Sequence, residues 1–244
     1  MSDLLLSARL NDAKKLCDTK CIPKFLGFLS ADELSEIKPQ LNLIKHRIFG
    51  GYEYSERSVV AVLPEWSEGE DNIFPIAPIT FRYRESDILQ HKDFLGSVMA
   101  LGIKRSTVGD ILIGKGIAVM FVLEEISEYI ISQIYKVGSV GVKISKGMPE
   151  TLPGQSEFIE GSCTIASTRL DCVVAALGKC SRNQAVEKII SGIIILNSVV
   201  CDKGTSNVKN GDVLTIRKVG KFIIESVDSR SKKGRVILKF KKYK

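Results

Sequence analysis

The chain has only two histidines, His46 and His91, and none of its six cysteines forms a Cys-x-x-Cys pair. A four-ligand zinc site therefore has no workable spacing, and neither a metal nor a cofactor is expected. No apolar run approaches the roughly 20 residues that a membrane span needs. The start, Met1 to Arg9, holds too short an apolar patch and no basic leader for a secretion signal. These absences point to a soluble, cytoplasmic chain with no membrane partner. In that reducing setting the cysteines read as small hydrophobes, Cys172 within an apolar helical pattern and Cys201 within a strand pattern.

Catalytic constellations are missing too. Gly109-Asp110-Ile111-Leu112-Ile113-Gly114-Lys115-Gly116 stops one residue short of a phosphate-binding loop, because the last position lacks the hydroxyl that would hold magnesium. An apolar strand follows where a helix should begin, so a β-hairpin turn is the better reading. Lys143 to Gly147 is similar to the mobile lysine loop of class I aminoacyl-tRNA synthetases, but the paired-histidine motif those enzymes need is absent. His91 and Asp93 stand at a helix start, where such residues more often cap or pack than transfer protons. No enzymatic activity is expected.

What the sequence does have is length, apolar content and a lopsided charge. Its 244 residues, 44% hydrophobic and 26% charged, suffice for one large domain or two to three small ones. The formal net charge is +7, yet residues 161–244 carry 17 Lys+Arg against 6 Asp+Glu, while the first 160 residues net −4. A basic excess confined to the last third favours a polyanion-binding module on a carrier. A compact basic platform suits folded RNA better than DNA, because no helix carries the long Asn, Gln and Arg face of a major-groove reader.

The hydrophobic patterning predicts an α+β chain of several domains. Residues 1–75 form a small mixed domain, with a capping box at Ser30 to Glu33 and strands at Leu43–Ile48 and Ser58–Leu63 around Gly50-Gly51. Residues 76–148 follow the order β-α-β-β-α-β, the split βαβ arrangement of ferredoxin-like and RNA-recognition folds. Its elements are strand Ile79–Tyr83, helix Ile88–Leu101, strands Asp110–Ile113 and Ile117–Leu123, helix Glu124–Val137 and strand Val140–Ile144. Residues 149–163 read as a linker. In residues 164–244, Thr168-x-x-Asp171 opens one helix, which ends at Gly178. The Ser181 to Gln184 capping box opens a second, with Ala185, Val186, Ile189 and Ile190 inward. Strands Ile193–Leu196, Val199–Cys201 and Val213–Arg217 follow, and Val236, Leu238 and Phe240 alternate with basic residues as a terminal strand.

Two stretches carry a resemblance. Arg169-Leu170-Asp171, Ser181-Arg182, Ile189-Ile190-x-Gly192-x-Ile194-x-Leu196-Asn197 and Asn210-Gly211-Asp212-x-Leu214-x-Ile216-Arg217 together resemble the alpha-L RNA-binding domain, named after the fourth protein of the small ribosomal subunit. What the resemblance implies is RNA binding by the helix pair and adjacent strand ends, through Arg169, Ser181, Arg182, Gln184, Lys188, Asn197, Lys203, Arg217 and Lys221. Ser198 departs from the glycine usual there. The stretch from His91 to Ile111, with Phe94-Leu95-Gly96, Leu101-Gly102-Ile103-Lys104-Arg105 and Gly109-Asp110, is similar to the YlmH (RqcP) family of ribosome-associated proteins. That likeness implies a non-enzymatic partner of large-subunit ribosomal RNA and of tRNA, working with an RqcH-type elongation factor. The setting it implies is quality control, in which stalled nascent chains receive alanine tails.

The central domain of that family is described as RNA-recognition-like. Here Lys115 to Val122 lacks the paired aromatics that stack bases, so Lys104, Arg105 and Lys115 are its expected phosphate contacts. The alternatives are an RNA-modification or ribosome-assembly factor that docks through the same basic module, and a protein whose basic face meets acidic protein.

Overall fold

The structure is a computed structural model that describes residues 2–53, 55–67, 70–153, 158–197, 199–230 and 234–243. It is a mixed α/β chain in which residues 1–156 and 157–244 make two compact units. Among the described residues no helix is long and apolar enough to cross a membrane.

Residues 1–75 and 76–148, expected as two domains, both fall within the first unit. No element is expected ahead of Phe25, yet Ser2–Lys20 is a helix, α1. Among its described side chains the buried stripe is thin, Leu6, Leu10 and Cys17, packed on the sheet beside it. Strand β1 (Lys24–Leu29) leads into helix α2 (Ala31–Leu41), which starts on the expected capping box of Ser30 and Glu33. Strands β2 (His46–Phe49) and β3 (Ser58–Val62) complete an antiparallel sheet in the order β1-β3-β2.

The central elements follow the expected sequence with shifted ends: β4 (Ile76–Arg82), α3 (His91–Met99), β5 (Val108–Ile113), β6 (Ile117–Leu123) and α4 (Glu124–Gln133). A two-residue ladder, β7 (Lys136–Val137) with β8 (Val140–Gly141), stands where the end of the second helix was expected. The closing strand β9 (Lys143–Lys146) then pairs with β4. The sheet order is β5-β6-β4-β9, antiparallel throughout.

Both faces of this sheet are buried. Ala118, Met120 and Val122 of β6 pack with Phe94, Val98 and Ile130 of the two helices. Val119 and Phe121 point the other way, into a cluster with Phe28, Val59 and Ala61 of the first sheet and with Phe74. The unbroken apolar run Ile117–Leu123 is what such a strand requires, since alternation belongs to a half-exposed one. Glycine permits the approach of the two sheets. A Cβ on Gly27 would lie 2.3 Å from the Ser106 carbonyl oxygen, and one on Gly109 would lie 2.5 Å from the Phe28 ring.

Residues 158–163, expected as the end of a linker, form a strand in the second unit, while 154–157 of that linker lie outside the described residues. β10 (Phe158–Ile165) pairs residue for residue with the carboxy-terminal strand β15 (Val236–Tyr243). Between them lie helices α5 (Leu170–Leu177) and α6 (Arg182–Ile190). Strands β11 (Ile194–Leu196), β12 (Val199–Val200), β13 (Val213–Ile216) and β14 (Gly220–Arg230) follow. The six strands form one sheet in the order β10-β15-β14-β13-β11-β12. Leu170, Val173, Val174 and Leu177 of α5 and Ala185 and Ile189 of α6 share its core with Leu214, Ile216, Phe222 and Leu238. Ile190, expected inward, is 73% exposed, because it lies one position past the buried stripe that ends at Ile189. The Ser198 departure lies outside the described residues.

Candidate RNA interface

The starts of α5 and α6 meet at one carboxylate. Arg169 stands at the N-cap position before α5, and its side chain makes no capping bond, so the expected Thr168-x-x-Asp171 cap does not form. Asp171 is turned instead toward two guanidiniums. Arg169 donates from Nε to Oδ1 at 3.2 Å and from Nη2 to Oδ2 at 2.8 Å. Arg182, the first residue of α6, donates from Nε and Nη2 to the same Oδ2 at 3.1 and 3.0 Å. The Asp171 side chain is 3% exposed, while the Arg169 and Arg182 side chains remain 39% and 55% exposed. Hydrogen bonds from Arg169, and then from Arg182, hold the Asp171 carboxyl down at about 2 against a burial that pushes it up.

The segment carrying Lys203 closes over the same place. Gly204 accepts from the Asp171 amide at 3.1 Å, and Ser206 accepts from the Leu170 amide at 2.8 Å. Lys203 itself is exposed. Ser181 and Gln184 form the full reciprocal capping box: the Ser181 hydroxyl accepts from the Gln184 amide at 3.2 Å, and the Gln184 side chain accepts from the Ser181 amide at 3.0 Å. Their polar groups are spent on the helix start, which orients Arg182 beside them. Arg169, Ser181, Arg182, Gln184 and Lys203 thus gather at one end of the helix pair. Two guanidiniums against one carboxylate leave a positive excess there, and the positive ends of the two helix dipoles add to it.

The other candidates lie elsewhere. The Lys188 ammonium stands beside Gly178, at the carboxyl end of α5, where the helix dipole favours a cation. Asn197, at φ +51°, donates its amide to Asp212 Oδ1 and accepts from the Val213 amide, both at 2.9 Å. That side chain ties β11 to β13 and is a turn residue. Arg217 is exposed at the end of β13, and Lys221 on β14 stands 5.3 Å from the Tyr243 ring centre.

In the first unit Lys104 is exposed, and Lys115 pairs at the surface with Glu85 at 3.2 Å. Arg105 is directed inward, its Nη1 donating to the Val108 and Gly109 carbonyl oxygens. Burial, and then the neighbouring Arg57, lower the Arg105 pKa. The sequence reading missed Arg57, which donates to the Phe28 and Val108 carbonyl oxygens at 2.7 and 3.3 Å. It also missed Asp110, which accepts from Tyr52 and from the amides of Glu56 and Arg57. No local signal marks this network, because its partners come from β1, β5 and the stretch before β3. It is a structural joint. The face on which RNA-recognition folds stack bases is here covered by the first sheet.

Residues 70–150 match the family model described as "Putative RNA-binding domain in YlmH". This stretch is similar to the YlmH RNA-binding domain. Over a longer stretch the chain is 26% identical, in 197 residues, to "Ribosome-associated protein quality control protein P2" of Bacillus subtilis (strain 168), covering 80% of this chain and 77% of that protein. A solved structure titled "Cell division protein ylmH from Streptococcus pneumoniae" aligns with 60% of this chain and 87% of its own, at 17% identity and a TM-score of 0.46. The YlmH likeness read from His91 to Ile111 falls inside the matched residues. The YlmH-type match ends before α5, so it leaves Arg169 and Arg182 to be judged on their geometry.

Proposed function

We propose that the chain is a non-enzymatic RNA-binding protein of the large ribosomal subunit, contacting ribosomal RNA and tRNA. It supports alanine tailing of stalled nascent chains together with an RqcH-type elongation factor. The observation that carries RNA binding is the pair of half-exposed guanidiniums held at the starts of α5 and α6. Planar, permanently charged forks in that position suit phosphate oxygens, and the positive ends of the helix dipoles favour the same anion. The alpha-L resemblance of residues 169–217 supports RNA at this end of the module. The ribosomal setting rests on the likeness to the Bacillus subtilis quality-control protein over most of both chains. The central domain contributes through its edges, since its sheet is covered on both faces.

Affinity purification of the full chain tests the reading. It should bring down large subunits, enriched in those carrying peptidyl-tRNA, and its loss should reduce alanine tails on stalled chains. An even distribution over small subunits and translating ribosomes, with tailing unchanged, would overturn it.

A further inference from the structure

Asp171 poses an electrostatic puzzle: a carboxylate stands at the centre of what is proposed as an anion site. It lies within hydrogen-bond reach of both guanidiniums, and all four bonds use the Nε–Nη2 edge of an arginine. Because both Nη2 atoms bond one oxygen, they stand within about 6 Å of each other, a spacing two like charges would not hold unaided. Among the described residues neither Nη1 has a hydrogen-bond partner. The Nη1–Nη2 edge of each fork, itself able to bind an anion through two parallel N–H groups, is therefore left over.

We propose that Asp171 is the positioning residue of the interface, locking Arg169 and Arg182 by one edge each so that their remaining edges form a fixed, two-pronged donor to RNA phosphate. The inference deepens the function proposed above and rests on its placement of RNA at these two arginines. An arginine otherwise surrenders the freedom of its long side chain on binding, and here the fold has already removed that freedom. The carboxylate keeps its charge at any pH at which ribosomes work.

The sign of one effect separates positioning from simple attraction. Asp171→Asn makes the module more positive, so attraction alone predicts tighter RNA binding and a steeper salt dependence. Positioning predicts roughly tenfold weaker binding by the folded protein, with the slope of log K against log salt shallower by about one. The full chain is titrated against purified bacterial large-subunit ribosomal RNA at several salt concentrations, with the folded fraction measured by circular dichroism. Arginine Nε–H resonances of Arg169 and Arg182, sharp and slow to exchange in the parent, should broaden or vanish in Asp171→Asn.

Should Asp171→Asn not fold, Arg182→Lys gives the answer. It keeps the charge and loses the fork, and should bind within about twofold of Arg182→Gln. Wild-type affinity in Arg182→Lys, or undiminished affinity in folded Asp171→Asn, would overturn the proposal. If Arg169→Gln and Arg182→Gln both bind as the parent does, the placement of RNA at this end fails, and the positioning role with it. If both weaken binding while Asp171→Asn does not, only the positioning role fails.

Discussion

Arg182 Nε and Nη2 both bond Asp171 Oδ2, at 3.1 and 3.0 Å, and so tie the first residue of α6 to the first turn of α5. The residues are eleven apart in the chain. From its place at a helix start, Arg182 reads as a surface cation contributing little to folding. Its bonds to a buried carboxylate give it a structural share as well.

Arg182→Ala should therefore lower stability by about 1 kcal/mol, less than a fully buried pair because its own side chain is half exposed and Arg169 still serves Asp171. RNA affinity should fall by about 1–3 kcal/mol, and the salt slope by about one, the loss of one phosphate contact. Urea melts and filter binding on the full chain check both. Loss of stability with unchanged affinity would reassign Arg182 to the fold alone.

Stability should depend on pH through Asp171. Its folded pKa, about 2, lies below the ordinary 3.8, so its contribution is complete above pH 4 and is lost as pH falls toward 2. The half-exposed arginines reduce that contribution to about 1–2 kcal/mol. The stability gap between the parent and Asp171→Asn, measured by urea unfolding from pH 7 downward, should be constant to about pH 4 and then close. A gap independent of pH would mean that the carboxylate charge does not hold the pair.

Gly109→Ala should destabilise the first unit by about 2 kcal/mol, since the added methyl meets the buried Phe28 ring. Thermal melts of the full chain measure the cost. Phe28→Leu in the same background should recover part of it by making room, and no recovery would count against this contact as the cause.

The charge division predicts where affinity lies. Residues 157–244 carry 17 Lys+Arg against 8 Asp+Glu, and residues 1–156 carry 18 against 20. Each range has its own core, so both can be made as fragments. In gel-shift assays on ribosomal RNA the carboxy-terminal fragment should bind at least tenfold more tightly than the other. Equal binding would show that the basic excess is not the source of affinity.

Where local chemistry is strong, the sequence was readable. The capping boxes at Ser30 and Ser181 stand where their spacing places them, as do the Gly114 to Gly116 turn and the alternating terminal strand. The helix α1 was hidden because its described buried residues, Leu6, Leu10 and Cys17, make too thin a stripe to register as a period. The strand β10 was hidden for another reason. Its Glu160, Gly161 and Ser162 suggest a linker until β15, more than seventy residues later, supplies the pairing that makes them an edge strand.

Composition and periodicity by themselves determined the α+β class, the basic last third and the helix pair with the Ser181 cap of its second helix. Each of these depends on residues a few positions apart or on a simple count. Only the tertiary structure decided that the central sheet is closed on both faces, that Asn197 serves a turn, and that Asp171 stands between Arg169 and Arg182. Those outcomes depend on which surfaces meet when distant elements pack. A single carboxylate can cap a helix, pair with one arginine or hold two, and the arrival of α6 beside the first turn of α5 selects the last.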